Sequence, residues 1–391
     1  MKLPYTSVRV RPVVVLLGLL VLALNLRSAL AGYPPLIETV RVDLGLTAGA
    51  AGLVQTGAVL MMAAGSLAGS ATARRAGPER ALVGAVGLVA IGSLARGIPA
   101  AVPLVAGSLV AGFGIGVAGV LLTGVVKEHL ASRAGVVTGG YVVAMMVGAT
   151  VASAVAVPIS VGVGGWSLAL AVWAVPAVLA VAVWAPVARR LARPAATAPH
   201  LRLPWRNGFA RLAAAHQSAT SLLVYGWMTW LAPYVTSEGW SPRDAGLLLA
   251  VWSAAQIPGA LVLPALAERS GRWRLWSAVG LTGTAVGTLG LLFAPLPPVV
   301  GPWPWVVLLG VGLGAGFPLG IAMVTWRTPD GAASAATSGM ALGVGYTVAG
   351  IGPFLMGLLI DLTGGYPAAI IVLVAAVVLQ GYAIVRIGDA R

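Results

Sequence analysis

Apolar residues run along this chain in blocks of about 20, divided by short clusters rich in Gly, Pro and basic residues. They do not alternate with polar ones as in half-buried strands. A helix needs about 20 apolar residues to cross a hydrocarbon layer of about 30 Å. Twelve blocks reach that length, at approximately 13–37, 47–71, 80–97, 103–126, 134–160 and 166–188, then 209–235, 244–267, 275–295, 303–326, 332–361 and 367–386. The pattern predicts an all-α membrane protein of twelve transmembrane helices. Polar residues inside the blocks are few: Asn25 and Arg27 in the first, Gln55 in the second, Gln217, Ser221 and Tyr225 in the seventh, and Gln256 in the eighth. Arg27 is the most costly of them, at about 2.5–3.5 kcal/mol near the centre of a spanning helix. None of the ten Asp and Glu residues lies in the middle of a block. Arg27 is therefore expected to lack an embedded counter-charge and to stand open to a ligand that comes and goes.

Composition supports the membrane reading, with 59% hydrophobic residues, 9% charged and a mean hydropathy of +0.96. Soluble domains carry about 25% charged residues. The 53 glycines suit helices that pack closely in lipid. A net charge of +14 would suggest nucleic acid in a soluble protein, but here the basic residues sort by side. If the N-terminus is cytoplasmic, 20 of the 24 Lys and Arg fall on that face: Lys2, Arg9, Arg11, Arg74, Arg75, Arg80, Lys127, Arg133, the six from Arg189 to Arg211, Arg269, Arg272, Arg274, Arg327, Arg386 and Arg391. Arg41 and Arg243 lie opposite, and Arg27 and Arg96 fall inside or near the membrane. This is the positive-inside asymmetry, and it predicts a multi-pass inner-membrane protein with both termini cytoplasmic and no nucleic-acid partner. The absence of cysteine excludes disulfides and thiolate chemistry. His129, His200 and His216 are too scattered in sequence to suggest a metal site. Neither a metal nor a cofactor is expected.

The chain repeats itself. Gly45, Leu46, Thr47, Ala51, Gly52 and Leu53 match Gly239, Trp240, Ser241, Ala245, Gly246 and Leu247, 194 positions on, and Gly65 and Gly77 match Gly259 and Gly271. Gly112, Gly114 and Gly116 match Gly310, Gly312 and Gly314 at 198, and Gly164, Gly165 and Trp166 match Gly364, Gly365 and Tyr366 at 200. So small a drift predicts two pseudo-symmetric six-helix bundles, residues 1–188 and 209–391, joined by a basic cytoplasmic linker at 189–208. Lys2, Arg9 and Arg11, then an apolar run ending in Ala29, Leu30 and Ala31, also fit a signal peptide. The length of the run, Arg27 near its end and the need for a counterpart to the seventh block favour a retained first helix.

Two parallel six-helix repeats about a central site is the layout of major facilitator transporters. That superfamily has a cytoplasmic turn of Gly, an acid, Gly and basic residues after its second helix. The second half resembles it at Glu268, Arg269, Ser270, Gly271, Arg272, Trp273 and Arg274. The first-half copy is Arg74, Arg75, Ala76, Gly77, Pro78, Glu79 and Arg80, with Arg74 at the acid position. The resemblance implies a gating latch at Arg74, Arg75, Arg80, Glu268, Arg269 and Arg272. Interfacial topology anchoring is the alternative role. Within the superfamily the chain resembles the cyanate and 2-nitroimidazole permeases. The resemblance is carried by Asn25, Leu26 and Arg27; Asp43 to Leu46; Leu94, Ala95 and Arg96; Gln217, Ser218, Tyr225 and Trp230 to Pro233; and Gly345, Tyr346, Gly352, Pro353, Gly357, Asp361 and Gly364. It covers essentially the whole chain and is specific to the family, not to a substrate.

Asn25 and Arg27 stand about 200° apart on a helix, so only one can face a central cavity. Gly32, Tyr33, Pro34 and Pro35 should break the helix just beyond them. For Arg27 the alternatives are an anion or polar substrate and the carbonyls of neighbouring helices. Arg96 is a substrate-contact candidate that can also snorkel to the interface. Gln217, Ser221 and Tyr225 form one stripe that must face protein or water. Trp227 and Trp230 lie on a neighbouring stripe, and Trp230 is expected in an aromatic belt. Gln256 is a cavity candidate with Gln55 as its rough counterpart. Tyr141, Met145 and Gly148, and Tyr346 with Gly343 and Gly350, give two more lining faces, with interhelical hydrogen bonds as the plainer role. Gly114 to Gly119 spell GxGxxG, but no strand precedes them and the run is a membrane block, so close helix packing explains them.

No central carboxylate or histidine offers a proton relay. Glu38, Asp43 and Asp361 sit toward the outer ends and His216 toward the cytoplasmic end of its helix. Facilitated diffusion and coupling through one of these groups both stay open. The sequence thus predicts a monomeric secondary transporter of a small anion or small polar heteroaromatic compound, with the bilayer as its surroundings. A drug exporter of the same fold is the rival. A membrane enzyme is disfavoured by the lack of any His, Cys or embedded acid cluster, and a pore by the two similar halves.

Overall fold

The computed structural model describes residues 12–130, 134–191, 203–329 and 331–387. Lys2, Arg9, Arg11, Arg133, Arg193, His200, Arg202, Arg391 and most of the predicted linker lie outside them. Among the described residues the chain is helical apart from turns, with no strand. The first block is interrupted as its prolines predict. Helix α1 (Pro12–Ala31) stops, a 3-10 turn (Pro34–Leu36) follows, and α2 (Ile37–Leu44) carries the span on to a left-handed Gly45 at φ 62°. The apolar span therefore reaches Leu44, where the sequence predicted an end near 37. The chain continues as α3 (Ala48–Ala76), α4 (Pro78–Ala95), α5 (Ala101–His129) and α6 (Ala134–Val163). The sixth block is also divided, into α7 (Trp166–Ala171) and α8 (Ala174–Leu191), and α8 runs into what was predicted as linker. After it come α9 (Gly208–Ser237), α10 (Pro242–Ser270), α11 (Trp273–Phe293), α12 (Trp303–Arg327), α13 (Gly331–Thr363) and α14 (Pro367–Ile387).

Eleven of the twelve blocks are long and apolar enough to span a membrane by length and composition alone. The twelfth is α9, which has the length at 30 residues but carries His216, Gln217, Ser218, Thr220, Ser221, Tyr225 and Thr229, all buried. Its polarity follows from its position. Helix α9 packs against α10, α12, α13 and α14 at once, so its surroundings are protein, and polar side chains there can be satisfied.

The repeat is visible in the packing. A Cβ on Gly116 of α5 would lie 2.0 Å from the Met62 carbonyl oxygen of α3, and one on Gly314 of α12 would lie 2.1 Å from that of Gln256 on α10. Gly112 meets Ala58 O and Gly310 meets Trp252 O in the same way, at 2.2 and 2.7 Å. These contacts superpose at the offsets of 194 and 198 read from the sequence. The counterpart of Gln256 is consequently Met62, not Gln55. Equivalent helices also start alike: Thr47 Oγ1 accepts from Ala50 N, and Ser241 Oγ, 194 positions on, accepts from Asp244 N, each at 3.1 Å, the usual N-cap satisfaction of a free donor.

Two seams join the halves, α3 against α13 and α10 against α6. They too are related by the repeat, since Gly52 lies against Pro353 O and Gly246 against Ser153 O, where a Cβ would sit 2.4 and 2.9 Å away.

Candidate functional site

The α3–α13 seam is tight over only part of its length. Gly357, Pro353 and Gly350 touch Ala48, Gly52 and Leu60, and at its far end Asp361 of α13 accepts from Ala48 N at 2.8 Å and Gly49 N at 2.7 Å. A carboxylate across the first turn of α3 meets both free N–H groups and the positive end of the helix dipole. Thr56 Oγ1 accepts from Phe354 N at 3.0 Å, and Trp230 Nε1 donates to Pro353 O at 2.9 Å. About two and three turns beyond Gly350 along α13, Gly343 and Gly339 have open space where a Cβ would be, and Gly139 on the other seam has only Leu261 at 4.0 Å. The halves are latched at the Asp361 end and part toward the other, leaving a cleft between them.

Arg27 lies where the seams part. Its Nη1 reaches Met146 Sδ of α6 at 3.8 Å, and its charge is felt at the phenols of Tyr225 and Tyr346 in the opposite half. Tyr225 and Tyr346 stand edge to face with ring centroids 6.4 Å apart. Tyr225 Oη approaches Met62 Sδ at 3.9 Å, and Tyr141 is close enough to Tyr346 to interact electrostatically. Tyr225 is buried, while Arg27, Met146 and Tyr346 keep partial exposure. The structure thus brings together Arg27, Tyr141, Tyr225 and Tyr346 of the predicted set. It adds Met62 and Met146, which the sequence reading did not single out. Of the expected face on α6, Gly148 packs on the Leu24 carbonyl of α1, and it is Met146, not Met145, that meets Arg27. Among the described residues Arg27 has no carboxylate partner.

The buried amides are each left with one unpartnered end, at Asn25 Oδ1, Gln55 Nε2, Gln217 Oε1 and Gln256 Nε2. Asn25 Nδ2 donates to Val21 O at 2.8 Å and Gln217 Nε2 to Ser221 Oγ at 3.4 Å. Of the pair on α1, Arg27 takes the cleft and Asn25 packs. Gln217 sits at the close approach of Gly320 and Gly345, about two turns of α9 from Tyr225.

Arg96 overturns its expected placement. It does not snorkel and is only 2% exposed. Nη1 donates to Ala29 O at 2.8 Å and Nη2 to Ser93 Oγ at 3.1 Å. Because α1 ends at Ala31, its last carbonyls lack helical partners, and Arg96 supplies one. It holds the broken end of α1 in place and is not part of the group around Arg27. Trp230 likewise is no belt residue. It is buried and closes the latched end against Gly52 and Gly357.

Arg74, Arg75, Arg80, Glu268, Arg269 and Arg272 are all exposed, and among the described residues Glu268 forms no ion pair. The nearby acid Glu79 is used inside its own half instead. It is fully buried, its Oε1 lies 2.7 Å from His129 Nε2, and its carbonyl accepts from Trp184 Nε1 at 3.1 Å. Glu79, Glu128 and His129 bring three possible metal-donor atoms within 4.8 Å of one another, so His129 is not isolated as its sequence position suggested. The direct Glu79–His129 contact already gives both groups a partner and ties α4 to α5. Beyond the latch a separate cleft of about 810 Å³ is lined by Glu38, Arg41, Tyr234, Glu238, Asp361 and Tyr366 among others, none of them neighbours of Arg27.

Comparison with known proteins agrees with this architecture. The profile described as Major Facilitator Superfamily matches residues 15–337 and 220–387. The chain is 32% identical over 357 residues to the 2-nitroimidazole transporter of Escherichia coli (strain K12), covering 90% of each protein. It is 29% identical over 356 residues to the cyanate transport protein CynX of the same organism, covering 90% of this chain and 91% of that one. Among solved structures, a D-xylose-proton symporter superposes with a TM-score of 0.76 at 14% identity, over 96% of this chain and 97% of that one.

Proposed function

We propose that this chain, which belongs to the major facilitator superfamily and is a secondary transporter, carries a small anion or small polar heteroaromatic compound, such as cyanate or a nitroimidazole, across the inner membrane. The observation that carries the reading is Arg27. A guanidinium deep in a membrane bundle is costly, and removing a charge from water is offset only by a partner. Here the partner is a thioether, a weak acceptor, and the facing groups are phenols from the other half. An anion or a nitro oxygen entering the cleft meets a charged donor on one wall and two aromatic edges on the other. Rocking the halves about that point would expose the site to each side in turn.

In this reading the end that carries Arg74, Arg75, Arg80, Arg269 and Arg272 faces the cytoplasm, as the positive-inside rule favours, and the Asp361 latch faces outside. The exposed basic cluster then serves as the cytoplasmic gate when the cleft closes. The two bundles extend over 1–188 and 209–391 with a basic connection between, and the carrier works as a monomer. Asn25, Gln55, Gln217 and Gln256 line the passage in other conformations, which gives their unpartnered ends a use. The thioethers and phenols around Arg27 favour a second reading, an exporter of larger aromatic compounds, which would bind its cargo without Arg27.

The test is thermal unfolding of the purified protein with cyanate, 2-nitroimidazole and a panel of aromatic drugs, repeated on Arg27→Ala. A ligand that binds only the folded carrier stabilises it by about 2.7 kcal/mol at a hundredfold excess over Kd. Cyanate or 2-nitroimidazole should raise the midpoint of the wild type and leave Arg27→Ala unmoved. Equal stabilisation of both proteins would remove Arg27 as the anchor, and stabilisation by drugs alone would favour the exporter.

A further inference from the structure

Arg27 and Met146 stand on α1 and α6 of one half, and Tyr225 and Tyr346 on α9 and α13, the equivalent helices of the other. Both pairs are in contact across equivalent helix pairs, α1 with α6 and α9 with α13. The two walls of the site are therefore built on one plan with opposite chemistry. The phenol wall is rigid, because Tyr225 is buried and locked edge-on to Tyr346. The other wall carries the charge, and the group beside that charge is the most adaptable apolar side chain available, with three rotatable bonds and a polarizable sulfur. Contact between Nη1 and Sδ at 3.8 Å satisfies the guanidinium weakly. A carboxylate in the same place would hold it as a bidentate pair and leave nothing for a passing anion to gain.

We propose that Met146 is a specificity-determining residue of this carrier: its thioether occupies the acceptor position on Arg27 and gives way to an oxygen of the substrate. The inference rests on the substrate reading above and adds to it. Position 146 decides whether Arg27 is available, and hence whether the carrier distinguishes an anion from a neutral molecule of similar size. Exchange costs little because a weak acceptor is replaced by a stronger one and a flexible side chain swings aside. Since Met146 and Arg27 come from the same half, the exchange does not depend on how far the halves have rocked. The Asp361 seam can stay latched while it happens.

Three variants test this, Met146→Glu, Met146→Gln and Met146→Leu, in the full-length protein in detergent. The first readout needs no substrate: the rate at which phenylglyoxal modifies Arg27, followed by peptide mass spectrometry. The rate should fall at least tenfold in Met146→Glu and stay within threefold of wild type in Met146→Leu and Met146→Gln. The second is the apparent Kd for cyanate relative to 2-nitroimidazole, from ligand-dependent thermal shifts. Met146→Glu should move that ratio at least tenfold against the anion. The exchange of residues Arg27→Met with Met146→Arg should bring the preference for cyanate back to within about fivefold of wild type. If Met146→Glu neither protects Arg27 nor changes the ratio, the proposal fails. If the wild type binds neither probe, the substrate reading fails, and the modification rates alone decide whether position 146 controls access to Arg27.

Discussion

Replacing Asp361 by Asn should loosen the latched end by a definite amount. In the native seam both carboxylate oxygens accept backbone N–H groups, from Ala48 at 2.8 Å and Gly49 at 2.7 Å. Asn keeps one acceptor, turns the other atom into a donor facing a donor, and removes the charge from the α3 dipole. A hydrogen bond to a charged group is worth about 1.5–3 kcal/mol and a charge at a helix terminus about 0.3–1 kcal/mol. Asp361 is an exposed residue, so solvent screening reduces both, and about 1–2 kcal/mol is the expected loss. That corresponds to about a 5–30-fold rise in the population with the latch open. The chain has no cysteine, so a single introduced one reports without background. Ser153→Cys suits this, because Ser153 is fully buried and its carbonyl lies against Gly246 on the second seam. Its rate of reaction with a maleimide in detergent should rise by that factor when Asp361→Asn is added. Equal rates with and without Asp361→Asn, within twofold, would show that the carboxylate does not hold the halves together.

Other outcomes follow from the packing. Gly116→Ala and Gly314→Ala place a methyl about 2 Å from a backbone oxygen of the neighbouring helix, and each should lower the unfolding midpoint by the equivalent of about 1–3 kcal/mol. Gly119→Ala, with open space around it, should leave the midpoint unchanged, and a loss there equal to that of Gly116→Ala would refute the close-crossing argument. Arg96→Met leaves the Ala29 carbonyl without its partner, at a cost of about 1–3 kcal/mol. The folded fraction should keep its ligand-induced thermal shift, and loss of that shift would return Arg96 to the site. His129→Ala strips the partner from Glu79, which is fully buried while His129 is 13% exposed. The loss should approach the lower end of the 3–5 kcal/mol seen for broken buried pairs, read as a fall in the unfolding midpoint that Glu79→Gln made with it partly restores.

The block pattern alone established a helical membrane protein in two similar halves, because a bilayer admits few other solutions to the backbone hydrogen-bonding problem and a duplicated unit repeats its glycines wherever helices must cross closely. It also isolated Arg27, since a lone charge in apolar surroundings is visible without any fold, and it located the break after α1, since Pro34 and Pro35 act locally. What it could not do was assign partners. Arg96 and Arg27 look alike as letters in apolar runs, yet one caps the severed end of α1 and the other faces the cleft, a distinction that depends on which helix lies opposite. Met62 and Met146 read as ordinary lipid-compatible residues until α3 and α6 are placed beside α9 and α1. Glu79 and His129, and Asp361 and Ala48, are 50 and 313 positions apart, and no local signal joins them. Partnership between distant side chains is set by how the helices cross, and crossing is decided by the packing of the whole bundle.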